Sequence, residues 1–206
     1  MKLDNLPVNW FDFFLLLWLV LGILRGRKLG MSQELLIFLQ WAAIVVVCSV
    51  TYQPLGDWLW QTSHVMSRLI FYIIAYVLSA SLVSSAFVLV KRLLGGKLIG
   101  SDTFGKWEYY FGMPAGMLRF FCILLTGLAV LNARLYTAKE IQVDRAYQMK
   151  NFDSEFFPKL YQIQADVFEK SLSGKLIKQH LPFLLIKPTG QDSSQPFKQK
   201  EWQEVK

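Results

Sequence analysis

The chain has 206 residues, of which 53% are hydrophobic and only 18% are charged, and its formal net charge is +7. This balance is too apolar for an ordinary soluble domain, while a mean hydropathy of +0.32 indicates that a polar part accompanies the apolar one. The basic residues cluster beside apolar runs, where they set membrane orientation, so we expect the lipid bilayer and not nucleic acid as the partner.

The first apolar run, Trp10–Leu24, predicts a membrane-spanning helix. At 1.5 Å per residue it gives about 22 Å of helix, so flanking residues or local thinning must help it cross a hydrocarbon core about 30 Å thick. A cleaved signal peptide is the rival interpretation. The basic residues Arg25, Arg27 and Lys28 follow the run instead of preceding it, which favours a retained anchor.

Three longer apolar runs follow the first one. They predict spans at Glu34–Tyr52, Leu69–Val90 and Phe111–Leu131. Pro54 and Gly56 predict the end of the second helix, because both residues disfavour helix continuation. Together with the first run, these segments predict an all-α polytopic membrane domain of four helices over residues 1–133.

The middle of the third run is rich in small hydroxylated residues. Ser81 and Ser85 lie four residues apart on one helix face, a spacing typical of close helix packing. A polar pore lining is the functional alternative. Packing is favoured, because buried serines usually bond back to carbonyl groups of their own helix.

The fourth run combines two glycines with one cation. Gly112 and Gly116 share a helix face, on which a neighbouring helix can approach closely. Arg119 lies about two turns inside the run, where burying an unpaired guanidinium costs roughly several kcal/mol of free energy. Glu34, at the same predicted side of the membrane, is the expected partner, and Asp12 near the opposite side is the poorer one. An Arg119 that snorkels to headgroup phosphates is the alternative.

Orientation follows from the distribution of basic residues over the connections. The second connection holds only Arg68, whereas the first and third hold seven basic residues: Arg25, Arg27, Lys28, Lys91, Arg92, Lys97 and Lys106. The positive-inside rule therefore predicts that these two basic loops are cytoplasmic and that both termini are outside.

The remainder of the chain is more polar than the spans. Residues 134–188 predict an amphipathic helical extension, in which Asp153–Leu181 has apolar residues at helical spacing: Phe156, Leu160, Ile163, Val167 and Leu172. Such a helix can dock on the outer face of the membrane that the helices cross, or on the spans themselves. Residues 189–206 are polar, and their composition predicts disorder.

The sequence offers little for catalysis or metal binding. Its two histidines lie in different regions, and it contains no HExxH, GxSxG or Cys/His metal-ligand spacing. Cys48 and Cys122 lie in apolar runs, which favours buried free thiols over a disulfide. We therefore expect no enzyme activity, no metal and no cofactor, and we identify no small-molecule substrate.

Several short motifs follow one another in a characteristic order. They are Asn9-Trp10-x-Asp12, Arg25-Gly26, Glu34 in the first turn of the second span, and Gly112-x-x-x-Gly116-x-x-Arg119. In this order they resemble the colicin V production protein (CvpA) family over about residues 8–133. The chain departs from the family pattern in a longer interval before Glu34, and in Phe120 where glycine is frequent. The resemblance implies a small bacterial inner-membrane protein, associated with colicin V production or export and with envelope homeostasis.

Two functions stay open at this point. In the first and favoured one, the protein is a membrane interaction or assembly component that supports export or envelope maintenance through its helices, with other membrane proteins as partners. In the second, it is a small transporter or channel component that works as an oligomer. A transport path predicts that Ser81, Ser85 and Arg119 face one cavity. A scaffold predicts that the glycine and serine faces are buried against helices without a continuous polar lumen.

Overall fold

The computed structural model describes residues 9–63, 66–98, 105–138, 140–143, 146 and 159–190. Four long helices dominate these residues: α1 (Trp10–Leu29), α2 (Met31–Ser63), α3 (Arg68–Leu98) and α4 (Glu108–Asn132). A short 3-10 turn, Gly105–Trp107, leads into α4.

Three of these helices are long and apolar enough to cross a membrane, namely α2, α4 and the Arg68–Leu93 part of α3. Helix α1 has 20 residues, with one acidic residue in its first turn and basic residues in its last turns. These charges leave too short an uncharged stretch, and α1 is not among the three helices. Three of the four predicted spans therefore coincide with suitable helices. The first span stays a prediction.

The helices lie side by side in the order α3, α2, α4, α1. Helix α2 contacts α3 on one side and α4 on the other, and α4 in turn contacts α1. The outer faces of α1 and α3 carry exposed large apolar side chains, such as Phe13 at 70% exposure and Leu82 at 72%. Apolar outer faces suit a lipid environment, and the charged pair of Glu34 and Arg119 lies instead at the enclosed α2–α4 interface.

The predicted end of the second helix at Pro54 and Gly56 is wrong, because α2 continues through both residues to Ser63. A neighbouring helix supports this continuation. Gly56 packs directly on the ring of Tyr72 in α3, where a Cβ atom would collide with it. The next residue, Asp57, accepts hydrogen bonds from Arg68 at 2.7 Å and from the Tyr72 hydroxyl at 2.8 Å. Proline and glycine are tolerated in such helices where neighbours compensate.

The two cysteines are free thiols, as predicted from their apolar surroundings. Cys48 is fully buried between α2 and α3, and Cys122 is half-buried.

The extension is not a single amphipathic helix, and the predicted continuous helix over Asp153–Leu181 is wrong within its described part. Helix α5 (Leu160–Ala165) runs into a π-helical turn (Asp166–Lys170), and α6 (Leu172–His180) follows. The break lies at Ser171, whose backbone is extended and whose hydroxyl accepts from the Gly174 N–H. A serine in that conformation is a helix N-cap, which ends one helix and begins another. Residues 153–158, including Phe156, lie outside the described part.

The predicted apolar face of the extension is also only partly correct. Val167 is buried, but Leu160 and Leu172 are 59% and 42% exposed. The π-helical turn at Asp166–Lys170 and the break at Ser171 both change the helical register, so residues that would share one face of a continuous helix point in different directions.

The extension packs against one end of the long helices, where α1 begins and α4 ends. Asn132 at the end of α4 donates to the Ile186 carbonyl at 2.9 Å, and the Lys187 N–H donates to the Tyr52 hydroxyl of α2 at 3.2 Å. Strands β1 (Arg134–Leu135) and β2 (Thr189–Gly190) pair in parallel. Disorder is therefore wrong for residues 189 and 190, because this pairing holds them, while 191–206 lie outside the described residues.

Candidate functional site

A buried ion pair joins the two central helices. The Arg119 guanidinium in α4 donates to Glu34 Oε2 in α2 at 2.6 Å, and the two side chains are 7% and 0% exposed. The contact expected from the sequence between Glu34 and Arg119 is thus present, and the snorkelling alternative is not the conformation observed. Removing one partner of such a pair leaves a buried charge without compensation, which is far more costly than replacing both.

A one-residue linker places Glu34 opposite α4. Gly30 separates α1 from α2 with a φ of +78°, a conformation that L-residues other than glycine rarely adopt. Its carbonyl accepts from the Glu34 N–H at 3.1 Å, so α2 begins immediately after the turn. A Cβ atom on Gly30 would lie 2.8 Å from Glu108 Cγ. The exposed Arg25 at the end of α1 is close enough for its charge to act on Glu34.

The chemistry available to this ion pair is limited. An arginine keeps its charge throughout the physiological range, so it is suited to neutralise a carboxylate and poorly suited to transfer protons. Within the part of the chain that the structure describes, no group of three His, Cys, Asp or Glu side chains is placed to hold a metal ion. The pair is therefore best described as a fixed electrostatic link between α2 and α4.

Four glycines bring α1 and α4 into backbone contact. Gly112 and Gly116 of α4 face Gly22 and Gly26 of α1. A Cβ atom built on Gly116 would lie 2.7 Å from the Gly26 Cα atom, and one on Gly22 would lie 2.9 Å from the Gly116 carbonyl oxygen. Both distances are shorter than real Cβ contacts, so any larger residue must push the helices apart. The predicted glycine face is occupied by α1.

One of these glycines was not identified from the sequence. Gly26 belongs to the Arg25-Gly26 motif, but Gly22 was not singled out, although its four-residue spacing from Gly26 mirrors that of Gly112 and Gly116. The same interface contains a hydrogen bond at 3.0 Å from the Trp18 indole N–H to the Phe120 carbonyl. A search for matching glycine spacings in two spans would have found the junction.

Asp12 forms part of the cap that begins α1. The Asn9 side chain accepts from the Trp10 N–H at 2.7 Å, and Asp12 accepts from the Asn9 N–H at 2.9 Å. The Asp12 N–H in turn donates to the Asn9 side chain, which completes a capping box and explains why the chain turns helical at Trp10.

The same carboxylate also binds the extension. Asp12 accepts from the Ser173 N–H at 2.9 Å, from the Leu172 N–H at 3.2 Å and from the Ser173 hydroxyl. These donors belong to the first turn of α6, where free N–H groups and the helix dipole favour an anion. Nearby, the Asn9 side chain donates to the Asp166 carbonyl at 3.1 Å. Asp12 therefore links α1 to the extension and does not contact Arg119.

A family model described as colicin V production protein matches residues 11–155 of the chain. The chain belongs to the colicin V production protein family. The match covers α1 from Phe11 onward and all of α2, α3 and α4, and with them the ion pair, the glycine junction and Asp12. It continues beyond the limit of 133 expected from the motifs and ends before α5. A search of curated proteins and a search of solved structures each returned no match.

The serine face of α3 in this colicin V production family member points away from the ion pair. Ser81 and Ser85 are exposed, and each donates to a carbonyl of its own helix at 2.9 Å. The serine that packs α3 on α2 is Ser79, whose hydroxyl accepts from Thr51 at 2.9 Å. The predicted packing face is thus not covered by the described parts of the chain. Because α2 lies between α3 and α4, these serines and Arg119 do not line one cavity.

Proposed function

We propose that this protein is a multi-pass component of the bacterial inner membrane that supports toxin production or export, or envelope homeostasis, as an interaction and assembly protein without enzyme activity. Membership of the colicin V production protein family supports the biological process. The three long apolar helices support residence in a membrane. The mode of action is inferred from where the polar and small residues of these helices lie.

The observation that carries the proposal is the separation of Arg119 from the serines. Arg119 is enclosed between α2 and α4, whereas Ser81 and Ser85 lie on the outer side of α3. A transport path needs polar groups that line one continuous cavity. Small residues on an outer helix face instead allow another helix to come close in the bilayer. The arrangement therefore favours docking of a partner helix on α3 over transport through one copy.

The proposed topology follows the basic residues. The end of α1 with Arg27 and Lys28, and the end of α3 with Lys91 and Arg92, are assigned to the cytoplasm. Both termini and the extension that Asp12 holds are then outside. This orientation places the Glu34–Arg119 pair toward the cytoplasmic side.

Transport by an oligomer is the second candidate. Its support is again the exposed serine face of α3, because two or more copies that meet at this face would bring their hydroxyl groups together. The two candidates differ in what contacts Ser81 and Ser85, either a different membrane protein or the same face of another copy.

In-membrane cross-linking distinguishes the candidates. Ser81→Cys and Ser85→Cys are each made in a Cys48→Ala/Cys122→Ala background and treated in native membranes with a membrane-permeable, thiol-directed photo-cross-linker. Ser79→Cys is the matched control, because it lies on the same helix but faces α2. The scaffold proposal predicts adducts with other membrane proteins from positions 81 and 85, and none from 79.

Other results would contradict it. Adducts that join only two copies of the chain at positions 81 and 85 would favour the oligomeric transporter. Equal labelling at all three positions, or adducts with lipid alone, would remove the outer face of α3 as an interaction surface.

A further inference from the structure

A cavity of about 530 Å³ opens where α1 ends and α4 begins. Its size falls within the range of about 300–1,000 Å³ that small-ligand sites occupy. The lining combines two basic, two tyrosine and two apolar side chains: Arg27, Lys28, Tyr109, Tyr110, Leu24 and Met113. None of the candidate functions above uses this cavity.

The charge of the lining is positive. Arg27 and Lys28 are adjacent in the last turn of α1, and both are exposed. The acidic residue nearest in sequence to the tyrosines, Glu108, packs against Gly30 and is not part of the lining. An arginine binds a phosphate through its planar fork and a lysine binds it as a point charge. The cavity is therefore suited to an anionic phosphate group.

An apolar surface continues from the cavity along both helices. On α1, Leu17 and Leu21 share the helix face of Leu24 by their spacing, and they are 51% and 46% exposed. On α4, Met117 follows Met113 by one turn and is 39% exposed. The cavity is thus polar at the end of the helices and apolar toward their middle, which is the polarity profile of a phospholipid. A free phosphate ion has no apolar part that could contact these exposed apolar residues.

The tyrosines fit the same ligand. Tyr109 and Tyr110 lie in the first turn of α4 and are 58% and 63% exposed. Tyrosine is enriched at the membrane–water interface, where its ring contacts acyl chains and its hydroxyl contacts headgroups. The two tyrosines therefore favour a position of the cavity at the depth of the lipid headgroups.

We propose that this cavity binds an anionic phospholipid. Its phosphate contacts Arg27 and Lys28, and its acyl chains lie along the exposed apolar residues of α1 and α4 (Leu17, Leu21 and Met117). Basic pockets between membrane helices bind such headgroups in this way. The inference goes beyond the proposed function, because a scaffold and a transporter could each have this site. Its consequence is that occupancy of the cavity depends on the anionic lipid content of the membrane.

The test uses the purified full-length chain in detergent. Phosphatidylglycerol is titrated in, and native mass spectrometry counts the lipids that each molecule retains. The Arg27→Gln/Lys28→Gln variant is expected to weaken the apparent affinity by about tenfold to thirtyfold, from the usual effect of removing two basic residues near an anionic surface. The matched control is Lys91→Gln/Arg92→Gln, which removes two positive charges from α3. Neither residue lines the cavity, and charges farther away are screened, so we expect the affinity to change less than about twofold.

A second variant tests the shape of the cavity without changing its charge. Leu24→Trp fills the cavity from an exposed position, so we expect a normal thermal unfolding midpoint together with a severalfold loss of phosphatidylglycerol binding. Phosphatidylcholine would place its choline cation beside Arg27 and Lys28, so we expect its binding to be weak and to change little in the charge variant.

Three outcomes would overturn the proposal. Equal losses in the pocket variant and the α3 control would indicate diffuse charge attraction instead of a site. Unchanged binding in both the charge variant and Leu24→Trp would exclude the cavity. Displacement of phosphatidylglycerol by an equal concentration of inorganic phosphate would indicate an anion site that does not recognise lipid.

Discussion

Helix α4 contacts its two neighbours in opposite ways. Toward α2 it presents Arg119, which is buried in an ion pair with Glu34. Toward α1 it presents Gly112 and Gly116, which have no side chains at all and bring the two backbones together. The first contact depends on the chemistry of two groups and the second on the absence of groups. In a membrane both are effective, because apolar burial does not drive helices together in lipid.

This difference predicts that replacing one residue of the ion pair lowers the free energy of unfolding more than replacing one residue of the glycine contact. Arg119→Leu leaves Glu34 buried without its partner, and we expect a loss of about 3–5 kcal/mol in the free energy of unfolding. The measurements are the amount of protein in the membrane and the thermal unfolding midpoint in detergent.

Double variants sharpen this test. Glu34→Leu/Arg119→Leu removes both charges and should recover most of the stability lost in either single variant. The charge swap Glu34→Arg/Arg119→Glu should restore protein levels in part. If both single variants accumulate normally, the pair does not stabilise the α2–α4 interface.

The glycine contact should fail through steric overlap. Gly116→Leu places a branched side chain where even a Cβ atom would lie 2.7 Å from Gly26 Cα, and overpacking of this kind typically costs about 1–3 kcal/mol. We expect a lower unfolding midpoint. We also expect loss of the disulfide cross-link that Trp18→Cys and Phe120→Cys allow when both are introduced together. Gly127→Ala is the control, because it lies in the same helix with no atom within 4 Å of its Cβ position. A midpoint in Gly116→Leu as high as in this control would show that α1 and α4 tolerate separation.

The sequence predicted the inner contacts better than the outer ones. Glu34 and Arg119 could be paired in advance because few charged groups are available inside apolar segments, and each needs a partner. Ser81 and Ser85 were assigned to packing by the same spacing rule that succeeded for Gly112. That rule identifies a face on which helices can approach, but it does not say whether the neighbour belongs to the same chain.

Local signals were weakest where tertiary contacts override them. Pro54 and Gly56 are stop signals in isolation, yet α2 passes through them because α3 packs on Gly56 and binds Asp57. From the sequence, Asp12 is a candidate only as a partner for Arg119. Its contact with α6 is 160 residues away in sequence, and no periodicity in the sequence reports such a distance.

The junction at Asp12 has a smaller expected effect than either contact of α4. Asp12→Ala removes the N3 half of the capping box of α1, leaving Asn9 as the N-cap, and it removes the acceptor for the first turn of α6. Loss of capping hydrogen bonds typically costs about 1 kcal/mol, with a range of roughly 0.5–2. We expect faster proteolysis of the extension with little change in membrane insertion. Asp166→Asn is the control, since its side chain forms an exposed ion pair with Lys170 at 2.8 Å, worth about 0–1 kcal/mol at most. Equal protection of the extension in Asp12→Ala and in the unchanged protein would contradict this role.

The outer face of α3 should show the smallest effect on stability and a clear effect on function. In Ser81→Leu/Ser85→Leu, two exposed residues become larger apolar ones. The free energy of unfolding should therefore change by no more than an ordinary surface substitution causes, about 0.5 kcal/mol. A partner helix could then no longer approach α3 closely, and we expect reduced toxin export or envelope integrity in a bacterial host that depends on this protein. Leu78→Ile and Leu89→Ile, also exposed on α3, are the controls. Full function in the double serine variant would mean that contact with partners depends on another surface, because a face that accepts two leucines without loss does not bind a helix at close range.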